Sequence, residues 1–178
     1  MAEEKKEPWL NYLALTTVVF AVCATLATFK GGGYSTRSVI SQAQASDQWA
    51  FFQAKSTKGN LYEIQREALE LQQAALPANA PAEVREHYAK TIADYKDRVA
   101  RYEKEKAEIQ TAAKALEQTR NDAQRHSQPF GIAVIFLQVA ILICSIAGLF
   151  KRKVMWQLAL PIGLLGLVYF ANGFFLFM

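Results

Sequence analysis

Three stretches of the chain are long, apolar and free of charge, and they constrain the fold more than any motif does. They are residues 9–29, residues 130–150, where Gln138 is the one strongly polar member, and residues 154–178. A helix of about 20 apolar residues crosses a hydrocarbon core of roughly 30 Å. The fold class predicted is therefore all-α, with three transmembrane helices at 9–29, 130–150 and 154–178. The charges segregate to match. Residues 30–129 hold 15 basic and 13 acidic side chains, whereas 130–178 hold only Lys151, Arg152 and Lys153. A soluble one-domain enzyme would interleave apolar and charged residues at helix or strand period, so that class is set aside first.

Lys5 and Lys6 precede the first span as they would in a signal peptide. The apolar stretch exceeds the usual h-region of about 7–15 residues, and Ala21-Val22-Cys23 is a weak cleavage match, so a retained span is expected. Cys23 is a poor lipoprotein cysteine, because Val22 stands where a small residue is wanted. Basic charge in short loops sets orientation. It places loop 151–153 and residues 1–8 in the cytoplasm, with residues 30–129 and the C-terminus on the opposite, periplasmic-type side. Lys30, Arg37, Arg120 and Arg125 on the insert's own flanks weaken that contrast.

The spans carry small residues at helix-packing spacing: Thr17, Ala21 and Thr25, then Ala140, Cys144 and Gly148, then Gly163 and Gly166. In lipid, small faces let helices approach closely. Packing of the three helices within one chain and a homo-oligomer seam both fit. Pro161 is expected to kink the third span. Gln138 and Asn172 need partners away from lipid, and the spans hold no Asp, Glu, Lys, Arg or His. That argues against a proton relay or coupled transport.

Residues 30–129 read as a helical hairpin. Gly31-Gly32-Gly33 is expected to break the helix or act as a hinge. Helices follow at 34–76 and 82–128, with a turn at 77–81 rich in proline and Pro129 closing the segment at the membrane. Each helix is roughly 65 Å long at 1.5 Å per residue. In the first, Val39, Ala43, Ser46, Ala50, Ala54, Thr57, Leu61, Ile64, Ala68, Leu71 and Ala75 alternate steps of 3 and 4 with one stutter. In the second, Ile92, Tyr95, Val99, Tyr102, Lys106, Ile109, Ala113 and Leu116 do so without one. This predicts a thin coiled-coil-like seam, possible bending at Gly59, and surface pairs Glu86–Lys90, Asp94–Arg98 and Asp97–Arg101. Folding about the turn sets Trp49 opposite Ile109. It brings Lys55 to Glu103 or Glu105 and Asp47 to Lys114, unless these charges pair between subunits.

Chemistry-bearing motifs are missing. No phosphate loop, dinucleotide fingerprint, zincin motif or paired-cysteine motif occurs. Cys23 and Cys144 lie mid-span and read as packing residues. His87 and His126 lie near opposite ends of one helix, without neighbours at metal-ligand spacing; His126 could contact headgroup phosphate. No cofactor, metal or catalytic constellation is expected, and a nearly balanced insert does not suggest nucleic acid. Basic residues at the membrane ends suit anionic headgroups, so the lipid bilayer is an expected partner.

One segment, 42–63, stands out. Trp49, Phe51 and Phe52 lie on different sides of one helix, which implies more than one neighbour. Asp47, Phe51, Lys55, Lys58 and Tyr62 form a single stripe, with Gln53 and Glu63 beside it. It is either a packing layer between subunits or a surface for a ligand or partner. Together with Trp9-Leu10-Asn11 entering the first span, the run Ala45-Ser46-Asp47-Gln48-Trp49 followed by Gln53-Ala54-Lys55-Ser56, Lys58, Tyr62 and Glu63 resembles the bacterial membrane family called domain of unknown function 4337. The three-span layout with a long helical insert matches as well. The resemblance covers nearly the whole chain, implies no activity, and marks 42–63 as the family's working part. Phe51-Phe52 stands where tyrosines are expected, which removes hydroxyls from any polar role there.

The function expected is non-enzymatic: a homo-oligomeric hairpin scaffold, or an accessory subunit touching another envelope complex. The rival is an oligomeric pore or transport component, with Gln138, threonines or Asn172 facing a lumen and Pro161 marking a gate.

Overall fold

The computed structural model describes residues 8–178; the expected basic lead at Lys5 and Lys6 lies outside them. Three helices account for nearly all of the described chain: α1, Trp9–Ala74, α2, Ala82–Leu149, and α3, Lys153–Phe175. All three are long and apolar enough to cross a membrane. The expected breaks on either side of the insert are absent. The helix α1 runs unbroken through Gly31, Gly32 and Gly33, and α2 runs through Pro129. A glycine costs a helix only about 1 kcal/mol, and packing decides the outcome. Gly31 is buried where a Cβ would lie 2.9 Å from the Phe130 Cβ, so a side chain there would hold α1 and α2 apart. Pro129 is itself buried, beside the fully buried Phe130. Burial of Ala123, Phe130 and Ala133 along α2 offsets the donor that proline lacks.

The turn between α1 and α2 falls where the prolines put it. Ala80 N–H bonds the Pro77 carbonyl at 3.0 Å. The Arg85 guanidinium donates to the carbonyls of Pro77 and Ala78 at 3.1 and 2.8 Å, tying the turn to the first turn of α2. The basic loop closes α2 differently. Lys151 adopts φ 51°, and Arg152 N–H reaches back to the Ala147 carbonyl, the six-to-one bond of a Schellman cap. At the other end of α3, Asn172 is buried. Its carbonyl accepts from Leu176 N–H, and its side-chain oxygen accepts from Met178 N–H. Asn172 thus finds its partners within its own terminus. Pro161 sits on an exposed face of α3, which continues through it as one helix.

The chain forms two compact units. One comprises residues 8–40 with Thr119–Met178; the other is Ser41–Gln118. In the first, α2 runs antiparallel to both α1 and α3 around Phe20, Ala24, Ala27, Phe130, Ala133, Leu137, Ala140 and Cys144. Gly163, Gly166 and Gly173 are buried, and a Cβ on any of them would overlap Phe20, Leu137 and Phe130 respectively. Absent side chains let α3 lie flat on its neighbours. Trp156 Nε1 donates to the Thr16 hydroxyl at 3.1 Å and pins the other end. Of the small residues at packing spacing, Ala140 and Cys144 are buried and Gly148 meets Leu13. Ala21 and Thr25 face outward, because Phe20, Ala24 and Ala27 occupy the inner face.

The second unit is an antiparallel pair of helices. The α2 seam follows the periodicity, with Tyr102, Ile109 and Ala113 buried and Ile92, Tyr95, Val99, Lys106 and Leu116 half-buried. The expected α1 seam is on the wrong face. Ala43, Ser46, Ala50, Ala54, Thr57, Leu61, Ile64, Ala68, Leu71 and Ala75 are all exposed. The inner line is instead Ser41, Ala45, Gln48, Phe52, Lys55, Gly59, Tyr62, Arg66, Leu69, Gln73 and Leu76, in steps of 4 and 3 without a stutter. Apolar periodicity misleads here, because α1 turns small residues, rings and cations inward and aliphatic residues outward. Gly59 produces no break. It is buried in mid-helix, and a Cβ there would meet the Tyr102 Cβ at 3.4 Å.

Candidate functional site

The 42–63 segment faces α2 as a ladder of rings and charges. Its first rung is Trp49. The indole N–H donates to a Glu117 carboxylate oxygen at 2.9 Å, and its ring meets Phe52 edge-on at 5.5 Å between centroids. Trp49 is thus engaged with Glu117 and not with Ile109, the residue expected opposite. Lys106 lies over the other side of this group, 5.8 Å from the Phe52 centroid, and its ammonium pairs with Glu103 at 2.7 Å.

Lys55 forms the second rung. Its ammonium donates to Glu105 at 2.6 Å and lies 5.3 and 5.4 Å from the Phe51 and Tyr102 ring centroids. Of the two acids expected for Lys55, Glu105 is the partner, since Glu103 turns to Lys106. The Lys55 hydrogen bond holds the Glu105 carboxyl below the ordinary carboxylate range, against partial desolvation and with help from Arg101 at 3.6 Å. Among the described residues Arg101 forms its ion pair with Glu105, and none with Asp97. Asp47 and Lys114 form no ion pair with each other, nor do Glu86 and Lys90, among the described residues.

Tyr62 forms the third rung. Its ring stacks on Tyr102 at 5.8 Å and meets Tyr95 edge-on at 5.4 Å. Arg98 lies over it at 5.3 Å, donates to its hydroxyl at 3.3 Å and pairs with Asp94 at 2.8 Å. Hydrogen bonds to Asp94 and Tyr62 raise the Arg98 pKa above its ordinary value. Each cation over a ring contributes about 0.5–1 kcal/mol at exposed sites, so the ladder substitutes for part of the missing aliphatic core. Gln53, Lys58 and Glu63 stay on exposed faces, as does Asp47. Glu63 approaches Arg66 at 3.9 Å, and Glu70 lies 3.4 Å from the Arg66 Nε. That buried nitrogen is close enough for an ion pair but lacks hydrogen-bond alignment.

The sequence reading placed the α1 half of the ladder in one segment and found most of its α2 half. Tyr95, Tyr102 and Lys106 were legible as seam positions. Glu105 was one of the two acids expected for Lys55, and Arg98 was the expected partner of Asp94; Glu117 was not legible, because a carboxylate on so charged a helix looks like a solvated face. His126 is a separate case in the first unit. It is stacked on Tyr34 at 4.7 Å and contacts the Gly173 carbonyl through Nδ1 at 2.8 Å. A carbonyl only accepts, so Nδ1 carries the proton. The ring is held inside the unit.

No group of three or more His, Cys, Asp or Glu side chains could hold a metal ion among the described residues. The family model described as Domain of unknown function (DUF4337) matches residues 9–176. No curated protein and no solved structure matches the chain.

Proposed function

The chain belongs to the DUF4337 family through residues 9–176, and from that premise we propose that it is a non-enzymatic scaffold of the bacterial inner membrane, anchored by three spans. Its periplasmic hairpin assembles with copies of itself and meets another envelope complex. The observation that carries this reading is the ladder. In 42–63, Trp49, Lys55 and Tyr62 each engage a partner across the two helices, as in Lys55–Glu105 and Trp49–Glu117. Helix length supports the same reading. The 66 residues of α1 extend about 100 Å, several times what a bilayer requires. Basic loop charge at 151–153 supports the orientation.

Proximity crosslinking in native membranes from Asn79, in the α1–α2 turn, tests the proposal. Recovery of one envelope complex, or of further copies of the chain, is the expected result. Labelling of soluble cytoplasmic proteins would overturn both the role and the orientation.

A second reading, an oligomeric pore, draws support from Gln138. It faces outward from α2 in a helix long enough to span a bilayer, where a polar group in lipid needs a partner. Ion conductance in proteoliposomes that falls in Gln138→Ala favours the pore. Absent conductance removes it.

A further inference from the structure

The outward face of α1 in the second unit carries a second line of residues at coiled-coil spacing. Ala54, Thr57, Leu61, Ile64, Ala68 and Leu71 alternate steps of 3 and 4. Leu61, Ile64 and Leu71 are 54%, 64% and 73% exposed. The face opposite them packs on α2, so α1 is apolar or packed on two sides, the signature of a helix with two neighbours. The outer face of α2 lacks this line. Between Ala82 and Gln118, Val84 is its one exposed large hydrophobic.

We propose that the outer stripe of α1 pairs, in parallel, with the same stripe of a second copy of this chain. The inference rests on the scaffold reading and names the surface that it requires. Steps of 3 and 4 select a helix as the occupant, because only a supercoiled helix keeps such a seam in contact. The same seam on both partners suits a two-fold pair, the commonest oligomer. Copies inserted in one bilayer send α1 out of it in the same direction, which makes the pairing parallel. Flanking charge permits this arrangement. Gln53 would face Lys58 of the second copy, Asn60 would face Gln65, and Glu67 would face Gln72, with no like charges opposed. Size also permits it. Counted from Ala43, across one stutter, to Leu71, the stripe is about 42 Å long and about 10 Å wide, so two copies cover on the order of 800 Å², the size of a weak interface.

The test uses the full chain in native membranes, with Cys23→Ala and Cys144→Ala as background. Oxidation of Leu61→Cys is expected to give a disulfide-linked dimer, and oxidation of Glu108→Cys, on the outer face of α2, is expected to give none. Equal yields, or a dimer from Glu108→Cys alone, overturn the pairing. In a second arm, Leu61→Lys with Ile64→Lys is expected to weaken self-association in liposomes by at least about tenfold, with helix content unchanged because both sites are exposed. If the unaltered chain is monomeric in liposomes, the scaffold reading and the pairing fall together. If it is oligomeric and the double variant associates as tightly, the pairing alone falls.

Discussion

The Trp49 indole bonds the Glu117 carboxylate although the two residues are not level on their helices. The alignment set by Lys55 and Glu105 puts Trp49 level with Thr111, about one and a half turns from Glu117. Helical side chains lean toward their own N-terminus. In an antiparallel pair that lean carries Trp49 and Glu117 toward each other, and two long side chains close the gap.

Trp49→Phe keeps a ring against Phe52 and removes the donor. The expected loss is about 1–2 kcal/mol, the range for a hydrogen bond to a charged acceptor. Glu117→Gln retains an acceptor and is expected to lose less. Thermal unfolding in detergent, followed by circular dichroism, measures both. Equal midpoints for Trp49→Phe and the unaltered chain would remove the bond from the stability argument.

Tyr102 is a much-shared ring of the ladder, touching Tyr62, Lys55 and Arg101. Tyr102→Ala is expected to cost about 3 kcal/mol, at the low end for deleting a buried aromatic. Tyr102→Phe keeps the stacking surface and is expected to stay near the unaltered midpoint. A hydroxyl effect as large as the ring effect would contradict the stacking account.

Glu105 makes the hairpin sensitive to acid. Its pKa in the folded chain lies below the ordinary carboxylate value, with the Lys55 hydrogen bond as the main cause. Its contribution is therefore fully present above the unfolded-state pKa and is lost as pH falls through the folded one. Unfolding midpoints are expected to decline as pH drops below the ordinary carboxylate range. Part of that decline should vanish in Glu105→Gln. Identical pH slopes for the two proteins would rule Glu105 out as a contributor.

The three consecutive glycines are expected to respond with opposite signs. Gly31→Ala places a Cβ against Phe130 and should destabilise by about 1–3 kcal/mol through overpacking. Gly32→Ala and Gly33→Ala meet no atom within 4 Å, and each should gain up to about 1 kcal/mol in helix propensity. Were the segment a hinge, all three substitutions would act alike, and thermal midpoints of the single variants distinguish the cases.

The legible part of this fold was the part written in conventional chemistry. Uncharged length located the helices apolar enough to cross a membrane, prolines located the turn, and Ile92, Val99 and Ile109 located the α2 seam. The α1 seam was hidden because Ser41, Ala45, Gly59 and Lys55 do not look like a core, while Leu61, Ile64 and Leu71 on the opposite face do. Glycine and proline also misled, since Gly31 serves close approach to Phe130 and buried Pro129 is carried by its packing. The α1 half of the ladder was visible as a dense aromatic segment. Counting back from the turn brought Lys55 to Glu105, but no local signal told that Glu117 faces Trp49 across the hairpin and not water.

Lys55 also fixes which residues of the two helices can meet. A heptad seam repeats, so a slip of seven positions would preserve most of its apolar contacts. Slipped one way, Lys55 would leave Glu105 and confront Arg98; slipped the other way, it would face Ala112 with no acid to accept its proton. One alternative opposes like charges and the other strands a half-buried ammonium, so this single side chain leaves the hairpin one admissible register.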